Sequence, residues 1–251
     1  SYLSMEQAKK NLKNEISDWD FDALKNQATA VWNDKLGQIK VEGGTEAQRN
    51  VFYTSLYRYY ERMVNITEDG KYYSAYDHTV HSDDTPFYTD DWIWDTYLAQ
   101  HPLRSILSPE LEGDMLQSYV RMYEEGGWMP QFPILYMDKA AMHGFHSTVM
   151  FLDAYRKGIR NFDVAKAYEG MLKNATDATM IPWVNGEKTV LEDFYRDKGF
   201  YPSLKLGEKE SVKEVHWFER RESVAVTLAH SYDDWALGQM ASDLNKKDDF
   251  E

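Results

Sequence analysis

The sequence predicts an all-α fold, a helical toroid or solenoid with a simple bundle left open, on three observations. Apolar residues recur at helical spacing in one stretch after another. No sustained period-two run bounded by hairpin turns occurs. A few long loops rich in aromatic and acidic residues separate the helical stretches, and loops gathered at one end of a helical ring are where a site forms.

Residues 1–44 read as a helical lead-in or linker, and residues 45–251 as the main helical unit. Thr45 and Gln48 are placed as a capping box, and Phe52, Leu56, Tyr59 and Met63 follow as one apolar stripe. A polar loop rich in Tyr and Asp then runs from about Asn65 to Thr89. The spacing predicts a helix over Trp92 to Arg104 and another from Ser108-Pro109, with the serine as N-cap and the proline in the first turn. Leu111, Met115, Tyr119 and Met122 form its buried face, and Gly126-Gly127 ends it.

The segment Trp128 to Phe145 has two prolines and no clean period. Ser147 to Lys157 reads as helix up to Gly158, and Asp163 starts another carrying Val164, Tyr168, Met171 and Ala175. The last strong helix runs from about Glu222 to Leu244. The closing KKDDFE follows it with no further element, so part of the core's wall is expected outside this chain. No fixed period of a repeat array is present.

Composition narrows the function classes. The 251 residues are 43% hydrophobic and 28% charged, enough for one large core or two modest ones. A net charge of −14 opposes nucleic-acid backbones and anionic membranes, and suits cations or neutral ligands. No apolar run is long enough for a membrane span, and the opening SYLSMEQAKK has no signal core, so it reads as mature chain. Zero cysteines removes thiol nucleophiles, thiolate zinc sites and disulfides, and fits an exported bacterial protein. The 8 Trp, 18 Tyr and 11 Phe serve equally as core filler or as faces for sugar rings.

HExxH, EF-hand, phosphate-loop, dinucleotide and GxSxG signatures are all absent. Carboxylates beside aromatics remain: Asp90 to Asp95 around Trp92 and Trp94, Asp138, and Tyr232-Asp233-Asp234-Trp235. Glycoside hydrolysis needs one carboxyl to protonate the leaving oxygen and a second carboxylate to activate water or attack the sugar. Asp as a helix cap and Trp as core are the plain alternatives. His143 and His146, around Gly144, read as structural histidines or as ligands of hydroxyls or a metal.

Taken in order, the motifs resemble glycoside hydrolase family 92, the calcium-dependent exo-α-mannosidases. VEGGTEAQRNVFYTSLYR is similar to that family's EGGTxxQxxxFYTALY string, and Trp94-Asp95-Thr96 with His101-Pro102-Leu103 to its WDT and HPL pair. Gly144-Phe145-His146-Ser147, Asp153 to Arg160, Phe162-Asp163, Glu222-Ser223-Val224 and Tyr232 to Trp235 resemble its later strings.

The resemblance implies that residues 45–251 form the N-terminal part of an (α/α)6 barrel, with an upstream β-sandwich and the remaining barrel helices outside this chain. It implies an inverting, calcium-assisted release of terminal α-linked mannose by a secreted, periplasmic or cell-surface bacterial enzyme. Asp138 falls where α-1,2-type members carry their proton-donating glutamate. Trp94, Asp95, His146, Asp233 and Asp234 are expected at the sugar, the calcium ligands are unassigned, and the general base is expected beyond Glu251. Trp217, Phe218, Arg220 and Arg221 stand where α-1,2-type members have a histidine–glutamate pair, which points to another linkage such as α-1,3. A helical mannan-binding protein without catalysis is the alternative, motivated by Asp in place of Glu.

Overall fold

The computed structural model describes residues 1–139, 141–179, 181, 182, 184 and 186–250. The expected domain end at Glu251 lies outside them. Two exposed helices lead in, α1 (Met5–Glu15) and α2 (Phe21–Leu36), started by the Ser4 and Asp20 side chains, which accept the amides of Gln7 and Ala23. Neither buries a residue. Trp32 of α2 packs its ring 4.5 Å from that of Tyr57 on α3 (Glu46–Tyr59). The Thr45–Gln48 capping box is formed in full, and Leu56, Tyr59 and Met63 of the predicted stripe are buried.

The loop from Asn65 to Thr89 holds two small antiparallel ladders. One pairs β1 (Val64–Asn65) with β4 (Tyr88–Thr89), the other β2 (Lys71–Tyr73) with β3 (Val80–Ser82). A third joins β5 (Pro133–Ile134) to β6 (Met137–Asp138). Strands of two or three residues show no alternation that a sequence could reveal.

Helix α4 (Ile93–Leu107) runs three residues past the predicted end, with Pro102 inside it. α5 (Pro109–Gly126) has proline in its first turn and ends at Gly127, whose positive φ of 81° is the left-handed cap expected there. Ser108 corrects an expectation, because its hydroxyl makes no capping bond. That residue is the whole link between two helices: its N–H donates to the Arg104 carbonyl at 2.8 Å, and its carbonyl accepts the Glu112 amide at 3.0 Å. The junction is made by backbone.

Beyond come α6 (Ser147–Arg156), α7 (Val164–Asp177), capped by Asp163 as predicted, and α9 (Ser223–Asp243). α8 (Val190–Lys198) was not foreseen, although Thr189 and Glu192 form a second complete capping box and Gly199 a left-handed stop. A short α10 (Lys247–Phe250) follows the last long helix and packs back on it, where no element was expected.

α5 packs against α4, α6 and α7, and α9 packs against α6 and α7 to close the same core. Leu116, Tyr119, Val120, Met129, Phe151, Ala167, Met171, Ala236 and Met240 are fully buried there. A smaller cluster of Ile181, Leu191, Tyr201, Val215 and Val226 lies under α8 and the loop after it. Helices thus carry the core, as the all-α reading requires. Phe151, edge-on to Tyr119 and packed on Phe162, is 0% exposed. Replacing it with Ala should cost about 3–5 kcal/mol in urea denaturation, from lost burial plus the cavity left behind.

Candidate functional site

Asp138 lies at the end of the β5–β6 hairpin, with its carboxylate turned back over its own loop. Oδ1 accepts the amides of Phe132 at 2.7 Å and Gln131 at 3.1 Å, and Oδ2 accepts Gln131 at 3.3 Å. Phe132 also bridges Asp138 to Trp94, whose ring meets it edge-on at 4.6 Å. Trp92 stacks beside Trp94 at 6.2 Å, and the Arg62 guanidinium lies 4.1 Å over the Trp92 ring. The structure therefore brings Trp94 and Asp138 together. Asp95, exposed in the first turn of α4, sits where a negative charge favours the helix dipole.

The carboxylate that this stretch buries is Asp91. Its Oδ1 accepts the Thr96 hydroxyl at 2.8 Å, and its Oδ2 accepts His101 Nε2 at 2.9 Å and the Tyr119 hydroxyl at 2.8 Å. His101 turns its Nδ1 to Glu112, 2.9 Å away, and Arg104 approaches the same carboxylate at 3.4 Å. Burial alone would lower the His101 pKa, but Glu112 and Asp91 push it up to about 9 through their charges and hydrogen bonds. Burial alone would raise Asp91, yet the imidazolium and three hydrogen bonds hold it below the ordinary carboxylate value.

Tyr97 of α4 stacks at 4.1 Å on His146, which belongs to a second buried pair. His146 Nδ1 lies 2.7 Å from Asp233 Oδ1, and the Phe145 amide donates to Asp233 Oδ2 at 2.7 Å. Both oxygens of Asp233 are thus engaged with the Gly144–His146 turn. Gly144 has a φ of +90°, and a Cβ there would stand 2.5 Å from the His146 ring and 3.0 Å from Asp233. Glycine is required by conformation and by space.

Asp234, the next residue, faces another way. Its Oδ2 accepts the Tyr195 hydroxyl at 2.8 Å, and it lines a cavity of about 300 Å³ with Glu192, Tyr201 and His230. Burial, with the Asp233 charge, raises it to about 6 against the opposing Tyr195 hydrogen bond. Such a carboxyl keeps part of its proton near neutral pH. Asp233 and Asp234 are sequence neighbours with separate surroundings.

In the loop before α9, Trp217 and Phe218 are exposed, at 83% and 65%. Arg221 anchors that loop with a two-pronged pair to Glu210, at 2.7 and 2.8 Å, and a bond to the Pro202 carbonyl at 3.0 Å. Among the described residues no three His, Asp or Glu side chains converge to hold a metal ion.

Aromatic rings beside half-buried carboxylates are thus carried on an all-α scaffold. The chain belongs to glycosyl hydrolase family 92, whose catalytic domain is matched over residues 7–251. Its fold is similar to that of a family GH92 inverting mannosidase from Bacteroides thetaiotaomicron, with 32% identity and a TM-score of 0.83 over 100% of this chain and 32% of that one. A family GH92 α-mannosidase from the same bacterium has the same TM-score at 25% identity, over 100% of this chain and 31% of its own. A protein described as an uncharacterized secreted glycosidase from Arthroderma benhamiae is 24% identical over 98% of this chain and 27% of its own length. The chain thus spans about a third of these relatives' length, as part of a helical barrel domain.

Asp91 and His101 were not foreseen as a site pair. The His101-Pro102-Leu103 string was the available signal, and its partner lay ten residues upstream, one carboxylate among several. Two outcomes are expected. The raised His101 pKa contributes stability, on the order of 3 kcal/mol, that is fully present below about pH 6.5 and lost as pH rises through about 9. The thermal midpoint should fall across that window, and His101→Gln should flatten the fall. Gly144→Ala should lower the midpoint more than Gly158→Ala, whose added Cβ meets nothing within 4 Å at a similar positive φ.

Proposed function

We propose that this chain is the first part of the catalytic domain of an exo-acting α-mannosidase that releases terminal α-linked mannose with inversion. The likeness over the whole chain to an inverting mannosidase, at 32% identity, carries the reading. A net charge of −14 suits a neutral glycan, and Trp92, Trp94 and Phe132 offer aromatic surface beside a carboxylate.

Inversion needs an acid on the leaving-group side and a base on the opposite face, about 6.5–9.5 Å apart so that water fits between. Asp138 is the proposed acid. Its carboxylate is oriented by the Gln131 and Phe132 amides. Trp94 and Asp95 are proposed to shape the sugar site, with His146, Asp233 and Asp234 behind it, and the base is proposed to come from chain beyond Glu251. Calcium belongs to the proposal with its ligands unassigned, and no step is assigned to it. The exposed Trp217 and Phe218, with Arg220 and Arg221, suit a linkage other than α-1,2, such as α-1,3. One relative is described as secreted and two similar mannosidases come from Bacteroides thetaiotaomicron, which supports a secreted, periplasmic or cell-surface location in a bacterium as part of the proposal.

A second reading, a mannan-binding protein without catalysis, is favoured by one observation: both Asp138 oxygens accept backbone amides, which stabilises a carboxylate rather than an acid. The test uses the protein with the rest of its domain. Asp138→Asn should lower kcat on an unactivated mannoside about 10²- to 10⁴-fold, the range for a lost general acid. Full activity in that variant would remove Asp138 from the role. Mannoside binding without mannose release by the unaltered protein would favour the second reading. Chelation of calcium should abolish turnover, and added calcium should restore it.

A further inference from the structure

We propose that the buried Asp91–His101–Glu112 network, together with Thr89, positions the hairpin that carries Asp138. The proposal rests on Asp138 as the acid.

His101 is 2% exposed and stands between two carboxylates that are equally hidden, Asp91 at 0% and Glu112 at 1%. Buried charge of this kind is costly in desolvation and contributes less than apolar packing would, unless it fixes a geometry. The geometry it fixes is the backbone at Asp91. Three side-chain partners, Thr96, His101 and Tyr119, hold that carboxylate, so the peptide around it has little freedom.

The backbone of the same segment grips the hairpin. The Asp91 N–H donates to the Pro133 carbonyl at 2.9 Å, and the Thr89 hydroxyl donates to the neighbouring Ile134 carbonyl at 3.1 Å. Pro133 is the residue paired with Asp138 across the β5–β6 ladder. A ladder of two residues a strand has no stability of its own in water. Its place must therefore come from outside, and residues 89–91 supply two anchors on consecutive residues of β5. A misplacement of about 1 Å in a reacting group can cost on the order of a hundredfold in rate.

Because His101→Gln leaves two carboxylates facing each other and risks the fold itself, Thr89→Val is the leading variant. It removes one anchor and keeps side-chain shape. Two readouts are taken on the protein carrying this chain together with the rest of its domain. The first is amide hydrogen exchange at Gln131 and Phe132, whose N–H groups donate to Asp138. Exchange there should speed up at least about tenfold while the amides of α8 stay unchanged. The second is turnover of two mannosides, one with an unactivated sugar leaving group and one with an activated aryl group that needs little proton assistance. kcat should fall about tenfold or more on the first and stay within about twofold on the second.

Unchanged exchange at Gln131 and Phe132, both in this variant and in Thr96→Val, which removes one of the three partners of Asp91, would overturn the positioning role whatever the activity. Equal losses on both mannosides would overturn it too, since a general structural defect does not distinguish leaving groups. Faster exchange in a protein that turns over neither mannoside even unaltered would uphold the anchoring and instead remove the mannosidase reading.

Discussion

Between α4 and α5 an imidazolium is held with a carboxylate on either side, and the placement of the surrounding chain depends on that balance. His101 belongs to α4, Glu112 to α5, and Asp91 to the extended segment that enters α4. One ring therefore ties two helices and a loop, with Tyr119 of α5 donating to the same Asp91 oxygen. The charge is kept because Glu112 and Asp91 favour the imidazolium, and the imidazolium in turn holds Asp91 ionised. Remove the ring, and two carboxylates are left in the core with only Arg104 and neutral donors beside them.

α4 carries this order outward in two directions. Trp94, in its first turn, packs toward Phe132 and the Asp138 hairpin, while Tyr97, less than one turn further, stacks on His146 and so reaches the Asp233 pair. The rings on this short stretch of helix therefore report to two separate loops. Asp233 and Asp234 divide similarly on α9, one closing the Gly144–His146 turn and the other opening on the cavity beside α8.

The helical architecture was legible because caps and stripes are local: Thr45 with Gln48, Asp163, Gly127 and Gly158 do in the structure what their spacing implies. What stayed hidden depends on contacts between distant residues. Nothing near Ser108 indicates that its backbone alone would serve two helices. The ladders around β2 and β5 are too short to show a period, and the Thr189 capping box stands in a stretch without a long apolar stripe. At the site, the run from Asp90 to Asp95 offers three carboxylates with similar neighbours. Only the fold decides that Asp91 is buried on His101, Asp90 pairs with Arg62 and Asp95 faces solvent. The family's motif order located the region, and the division of labour within each motif needed coordinates.

The single-residue link at Ser108 bears on how this domain tolerates change. With one residue spanning two helices and its N–H and C=O both committed, there is no slack to take up an insertion or a deletion, and either would rotate α5 about its own axis and turn its buried face away from Phe151 and Met171. Variation in chain length among related proteins should therefore collect in the stretch from Asn65 to Thr89 and in the loop after α8, where short ladders and exposed turns can lengthen without moving a helix. The rigid corner and the variable loops are complementary: the first keeps the register that lets the second diversify.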